Sequence, residues 1–225
     1  MTMDLERAPA FEYCPPAEPW LTVLHQDEDI IVLDKPSGLL CVPGKPEAHR
    51  DCLETRVKES FPQALLVHRL DRETSGIVVM AMNRPAQRHL GLQFERRTLS
   101  KTYIARVWGR VDGESGRIDL PLATDPDARP KQKIDFAKGR KAITEWKVAG
   151  REEGATRLEL SPLTGRSHQL RVHLLSIGHP ILGDSFYAEG DALAAAPRLQ
   201  LHAETLSLRH PSDGRHCTFM QACPF

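Results

Sequence analysis

Alternation of apolar and polar positions divides the chain into short segments. Leu21-Thr22-Val23-Leu24-His25 and Ile30-Ile31-Val32-Leu33 flank the polar tetrapeptide Gln26-Asp27-Glu28-Asp29, which predicts two antiparallel strands and a hairpin loop. Lys35-Pro36-Ser37-Gly38 then breaks the sheet. Asp51 stands as a helix cap with Glu54 at the capping-box position, and Leu53, Val57 and Phe61 recur at helical spacing. That helix is expected to end before Pro62. Leu65-Leu66-Val67 and Gly76 to Met82 read as strands bracketing a polar loop. From Arg84 to Arg97, Ala86, Leu90 and Phe94 repeat every fourth residue, giving a basic amphipathic helix.

Thr102 to Trp108 is rich in aromatic and β-branched residues and favours a strand. Further strands are expected at Arg117 to Leu120, Ala142 to Val148, Arg157 to Leu160 and Leu199 to Leu208. Between Ser167 and Ile177 the pattern turns helical, with Leu170, Leu174 and Ile177 on one face and Gly178 as terminator. Hairpin-linked strands with a few inserted helices predict an α+β domain on a large antiparallel or mixed sheet.

A chain of 225 residues suffices for one large domain, and no Gly/Ser-rich linker divides it. The expected division is an acidic N-terminal extension, residues 1–19, and one domain over residues 20–225. The start of the chain lacks the basic and apolar regions of a signal peptide, and nothing later approaches a membrane span. Five widely spaced cysteines argue for reduced thiols and a cytoplasmic location.

Net charge is zero, but it is unevenly spread. Residues 1–30 hold seven acids against one arginine, whereas residues 84–141 hold fourteen lysines and arginines against seven acids. The basic middle is compatible with phosphate contacts.

One stretch carries the chemistry: His68-Arg69-Leu70-Asp71-Arg72-Glu73-Thr74-Ser75-Gly76. It places an aspartate between two arginines, whose charges favour a carboxylate, immediately before the apolar run Ile77-Val78-Val79-Met80. Taken alone, Asp71 reads as a turn residue before a strand. The string resembles, however, the catalytic motif of the RluA family of pseudouridine synthases. Lys101-Thr102-Tyr103, Leu163 to Leu174 and Gly178-His179-Pro180-Ile181-Leu182-Gly183-Asp184 follow in the family's order. The resemblance runs from about Trp20 to the C-terminus and is closest to the family's short form. The S4-type RNA-binding domain of many relatives is expected to be missing, because twenty residues precede the first strand.

The resemblance implies a curved, bifurcated sheet and an enzyme that isomerises uridine in RNA. The reaction breaks the C1′–N1 bond, rotates the uracil and joins C1′ to C5, with no redox change, so neither metal nor organic cofactor is expected. It makes Asp71 the essential residue, as a nucleophile or as a base on the ribose, and Arg171 its partner. Tyr103 would stack on the extracted uracil, and its hydroxyl can take part in removing the C5 proton. Arg69 would replace the flipped base in the stack, with Arg72 beside the same RNA, and Leu174 would pack near the uracil. Arg129-Pro130-Lys131-Gln132-Lys133 reads as an exposed loop whose Arg129, Lys131 and Lys133 grip phosphates, or equally as a solvated charge run. His68, His168 and His179 are read as structural hydrogen-bonding residues. Family members of this short form act on a large-subunit ribosomal RNA hairpin and a tRNA anticodon stem-loop, so RNA is the expected partner of a monomeric enzyme.

Three other classes compete. Ten histidines suggest a metalloenzyme, yet the chain has no His-Glu-x-x-His and no Cys-x-x-Cys, and His168 and His173 lie five apart. A nucleoside hydrolase would use the same Asp71 but deliver water and free uracil. A non-catalytic RNA-binding assembly factor would need a degenerate site, whereas Asp71, Tyr103 and Arg171 are all present.

Overall fold

The computed structural model describes residues 12–225. Part of the acidic extension, including Asp4, Glu6 and Arg7, lies outside the described residues. The chain runs β1 (Thr22–Gln26), β2 (Ile30–Lys35), α1 (Leu53–Ser60), β3 (Leu65–Leu66), β4 (Ser75–Ala81), α2 (Arg84–Arg96), β5 (Ser100–Trp108) and β6 (Ser115–Asp119). It continues through β7 (Leu122–Thr124), β8 (Gln132–Ile134), β9 (Ile143–Glu152), β10 (Ala155–Pro162), α3 (Gln169–Ser176), α4 (Gly190–Ala194), β11 (Leu201–Arg209) and β12 (His216–Met220).

Ten strands form one sheet in the order β1-β2-β4-β11-β5-β10-β9-β6, which branches where β3 adds to β4 and β12 to β11. Every pairing is antiparallel except β4 with β11. That short parallel seam, His202 opposite Ser75 and Ala203 opposite Gly76, joins the two halves of the molecule. Gly76 has φ 109°, and a Cβ there would sit 2.2 Å from the Ala203 carbonyl oxygen, so only glycine lets the strands meet. The Asp71 loop therefore enters the sheet at its centre.

Each half has its own core. One is built from Ile31, Leu33, Leu53, Val57, Val78 and Met80, the other from Ala105, Val107, Leu158, Leu160, Leu170 and Leu174, and Tyr103 packs against both. β4 is buried along its whole length, as an interior strand covered on both faces should be.

Two local expectations are corrected. The cap of α1 is Cys52, with the Thr55 side chain accepting from the Cys52 N–H, and not Asp51 with Glu54. Asp51 is instead engaged by Arg56 at 2.6 and 2.7 Å. The segment read as an exposed loop places Gln132 and Lys133 in β8, paired with β7. This hairpin lies over α3, where Val172 packs with Leu122, Ala142, Ile134 and Tyr187. Helix α3 is consequently buried on every side from Gln169 to Leu174.

Candidate active site

Asp71 opens a tight turn, with the Thr74 N–H donating to its carbonyl. The loop that it heads is clamped from beneath. Gly38 N–H donates to the Arg72 carbonyl at 2.9 Å and Ser37 Oγ to the Glu73 carbonyl at 2.6 Å. Lys35, fully buried, donates from Nζ to the carbonyls of Pro36, Leu39 and Arg72 at 2.8, 2.8 and 2.9 Å. Burial pulls its ammonium down to about 8, against the opposing pull of Cys41, Asp71 and Asp34. The Cys41 thiol seals the other side, bonded to both backbone groups of Leu70.

Arg171 reaches this loop from α3. Its Nη1 lies 3.5 Å from Asp71 Oδ2, while Nε and Nη2 donate to the two carboxylate oxygens of Asp184 at 2.8 and 2.6 Å. Arg171 is 2% and Asp184 0% exposed, so the pair is a planar fork locked out of water. Burial opposes the guanidinium charge, but the hydrogen bonds and charge of Asp184, then Asp71 and Glu73, hold it above its ordinary value. Glu73 lies 3.8 Å from Nη2 and is itself fixed by Arg72 and by Ser185 Oγ. Asp184 also accepts from the N–H groups of Phe186 and Tyr187, whose rings cover the guanidinium at 5.0 and 5.2 Å. Gly183 has φ 67°, and a Cβ would meet the Arg198 carbonyl oxygen at 2.3 Å, so glycine delivers Asp184 into the core.

Tyr103 stands on β5 next to Asp71. Burial first, then the Asp71 charge, push its phenol well above the ordinary range, which disfavours the phenolate and suits an aromatic platform. His168 precedes α3 in the left-handed region, φ 52°. Its Nδ1 is 2.7 Å from the Tyr187 hydroxyl, which accepts from the Gln132 N–H at 2.8 Å and so has its proton free for His168. His68 accepts the Val79 N–H through Nε2 at 3.1 Å and stacks on Phe94, and burial holds it down to about 3. His179 bonds the Trp108 carbonyl. All three histidines are thus held by structural hydrogen bonds.

The other expected residues are scattered in their settings. Arg69 and Arg129 are exposed. Lys131 sits 6.0 Å over the Tyr187 ring, and Lys133 is paired with Asp125 at 3.3 Å. Leu174 is fully buried in the second core. Lys35, Glu73, Asp184 and Tyr187 are constituents that sequence reasoning did not assign. Glu73 and Asp184 lay within motif segments, whereas Lys35 and Tyr187 did not. Among the described residues no group of three or more His, Cys, Asp or Glu side chains is arranged to hold a metal ion. No helix of the described residues is long and apolar enough to cross a membrane.

An acid held by a buried arginine, beside an aromatic platform and between two halves of a branched sheet, suits chemistry on a planar base attached to a sugar. A family model described as RNA pseudouridylate synthase matches residues 29–176. The chain is 52% identical over 214 residues to the dual-specificity RNA pseudouridine synthase RluA of Salmonella typhi, covering 95% of this chain and 98% of that protein. It is 51% identical to the protein of that name from Escherichia coli K12, with the same coverage, and 47% identical to that of Haemophilus influenzae, covering 92% and 95%. The solved structure of human RNA pseudouridylate synthase domain containing 1 superposes with a TM-score of 0.75 at 27% identity, over 91% of this chain and 84% of that one. Human RNA pseudouridylate synthase domain containing 4 gives 0.73 at 25% identity, over 90% and 88%.

Fold and site together define an RNA pseudouridine synthase, an isomerase. The chain belongs to the RluA family of these enzymes.

Proposed function

We propose that this enzyme isomerises a uridine in a stem-loop of large-subunit ribosomal RNA, in a tRNA anticodon stem-loop, or in both, with Asp71 as the reacting carboxylate. The observation that carries the assignment is the Arg171 fork: bound twice to Asp184, it presents its remaining nitrogen to Asp71 at 3.5 Å. Such a guanidinium fixes the direction of the carboxylate without moving during the reaction. The substrate classes follow from the resemblance to the short RluA enzymes and from the dual specificity named for the relatives.

The uridine must leave its stack before Asp71 can reach C1′, at a cost of a few kcal/mol. Arg69, exposed two residues away, is suited to fill the gap, and Arg72 lines the same loop. Tyr103 receives the uracil on its ring. Asp71 then acts on the ribose, the C1′–N1 bond breaks, the base turns, and C5 joins C1′ with loss of its proton. Residues 20–225 supply this machinery as one catalytic domain of a cytoplasmic monomer that requires no metal.

The test is product analysis of purified enzyme with an anticodon stem-loop transcript and a ribosomal hairpin transcript. Pseudouridine in RNA of unchanged mass, with no free uracil, is expected. Free uracil and an abasic RNA would instead establish a hydrolase.

A further inference from the structure

Four cations that the mechanism leaves unused gather about the start of β5 and the loop before α3. Arg97 ends α2 in the left-handed region, Lys101 lies on β5 two residues before Tyr103, Arg140 leads into β9, and Arg166 stands two residues before His168. The alternation of a strand puts Lys101 and Tyr103 on one face. A Cβ on Gly165 would lie 3.6 Å from Lys101 Nζ, so this ammonium rests against the loop that carries Arg166.

None of the four has a carboxylate partner among the described residues. Arg106, Arg117, Lys133 and Arg151, by contrast, are paired with Glu152, Asp119, Asp125 and Glu114. The Arg166 side chain donates only to the Lys141 carbonyl, at 3.1 Å. The four also act on one another: Lys101 is lowered by burial and then by Arg97, and Arg166 by burial and then by Arg140 and Arg97. Like charges gathered in a partly desolvated rim are unfavourable until an anion joins them. Each phosphodiester carries one negative charge, so four cations on separate segments fit several successive phosphates better than one small anion.

Resting on the pseudouridine synthase reading above, we propose that Arg97, Lys101, Arg140 and Arg166 form the phosphate site that holds the RNA backbone beside the extruded uridine. This moves the electrostatic grip from the β7–β8 hairpin, where Lys133 is already neutralised by Asp125, to the rim next to Tyr103.

The experiment measures equilibrium binding of a fluorescein-labelled anticodon stem-loop RNA across a KCl series, in an Asp71→Asn background to prevent turnover. Lys101→Gln with Arg166→Gln should weaken binding at least about tenfold and reduce the slope of log K against log salt by about 0.7 for each contact to single-stranded RNA. Arg97→Gln with Arg140→Gln, both exposed positions that do not endanger folding, should shift affinity and slope in the same direction. Arg117→Gln, at a site already paired with Asp119, should stay within about twofold of the parent. Affinity and slope within about twofold of the parent in both double variants overturn the proposal. Wild-type enzyme assayed in parallel separates the two readings. Pseudouridine formation with unaltered variant affinity removes the patch alone; salt-dependent binding through these residues without pseudouridine removes the enzymatic reading alone.

Discussion

Arg171 spends two of its three guanidinium nitrogens on Asp184, at 2.8 and 2.6 Å, and turns only Nη1 toward Asp71, at 3.5 Å. The carboxylate proposed to react is thus aligned by an arginine whose own position is set from behind by a second, fully buried carboxylate.

Replacing Asp184 should therefore damage both fold and reaction. Asp184→Ala strips the buried guanidinium of its two short hydrogen bonds, leaving only Asp71 at 3.5 Å and Glu73 at 3.8 Å, and should cost about 3–5 kcal/mol of stability in urea unfolding. Asp184→Asn keeps the volume and one acceptor, so it should fold better while still lowering kcat at saturating RNA. A kcat unchanged in a folded Asp184→Asn enzyme would contradict the positioning role.

Tyr187→Phe tests the link between the β7–β8 hairpin and the site. The lost hydroxyl accepts from the Gln132 N–H and reaches His168 Nδ1. Stability should fall by about 1–2 kcal/mol, because a backbone donor loses its acceptor. The expected kinetic signature is a rise in KM for the RNA hairpin exceeding the change in kcat, checked by steady-state kinetics.

Acid should destabilise the protein well before its carboxylates titrate. Burial is the leading cause that lowers His68, to about 3, and His168, His173 and His202 below their ordinary value of 6.5. Below about pH 6.5 the unfolded chain takes up protons that the native chain refuses, so stability rises with pH through this window and is lost on acidification. For His68 the loss continues to about 3, while the lowered Asp27 adds a further loss below 3.8. Urea midpoints should fall steadily from about pH 7 to about pH 5. Midpoints independent of pH across that range would show these histidines to be accessible in the native state.

Much of this arrangement is legible in the chain before folding. α2 follows from apolar residues at every fourth position, the β1–β2 hairpin from two apolar runs around a polar tetrapeptide, and β5 from its aromatic and β-branched content. β7 and β8 do not, because three residues each is too short to show a period. β12 escapes notice since His216-Cys217-Thr218-Phe219-Met220 is a half-exposed edge strand with little apolar contrast. The motif discloses Asp71 and Arg171, one hundred residues apart, but a linear pattern says nothing of which side chains satisfy Arg171. Lys35 reads as part of a sheet-breaking turn, and only the folded chain places its ammonium under the Asp71 loop.

Dialysis against EDTA should leave activity intact, in a buffer where the RNA stays folded without divalent ions. No step of the isomerisation requires a Lewis acid. Loss of activity restored only by zinc, with the RNA fold unchanged, would contradict this.

The central claim is that the Asp71 carboxylate performs the reaction and contributes little to holding RNA. Asp71→Asn conserves volume and removes the charge. The decisive measurement is single-turnover pseudouridine formation by the purified variant on a stem-loop RNA, with binding of the same RNA measured in parallel. The account predicts no pseudouridine while affinity stays within about threefold of wild type, about 0.65 kcal/mol or less. Turnover near the wild-type rate would remove Asp71 from the mechanism.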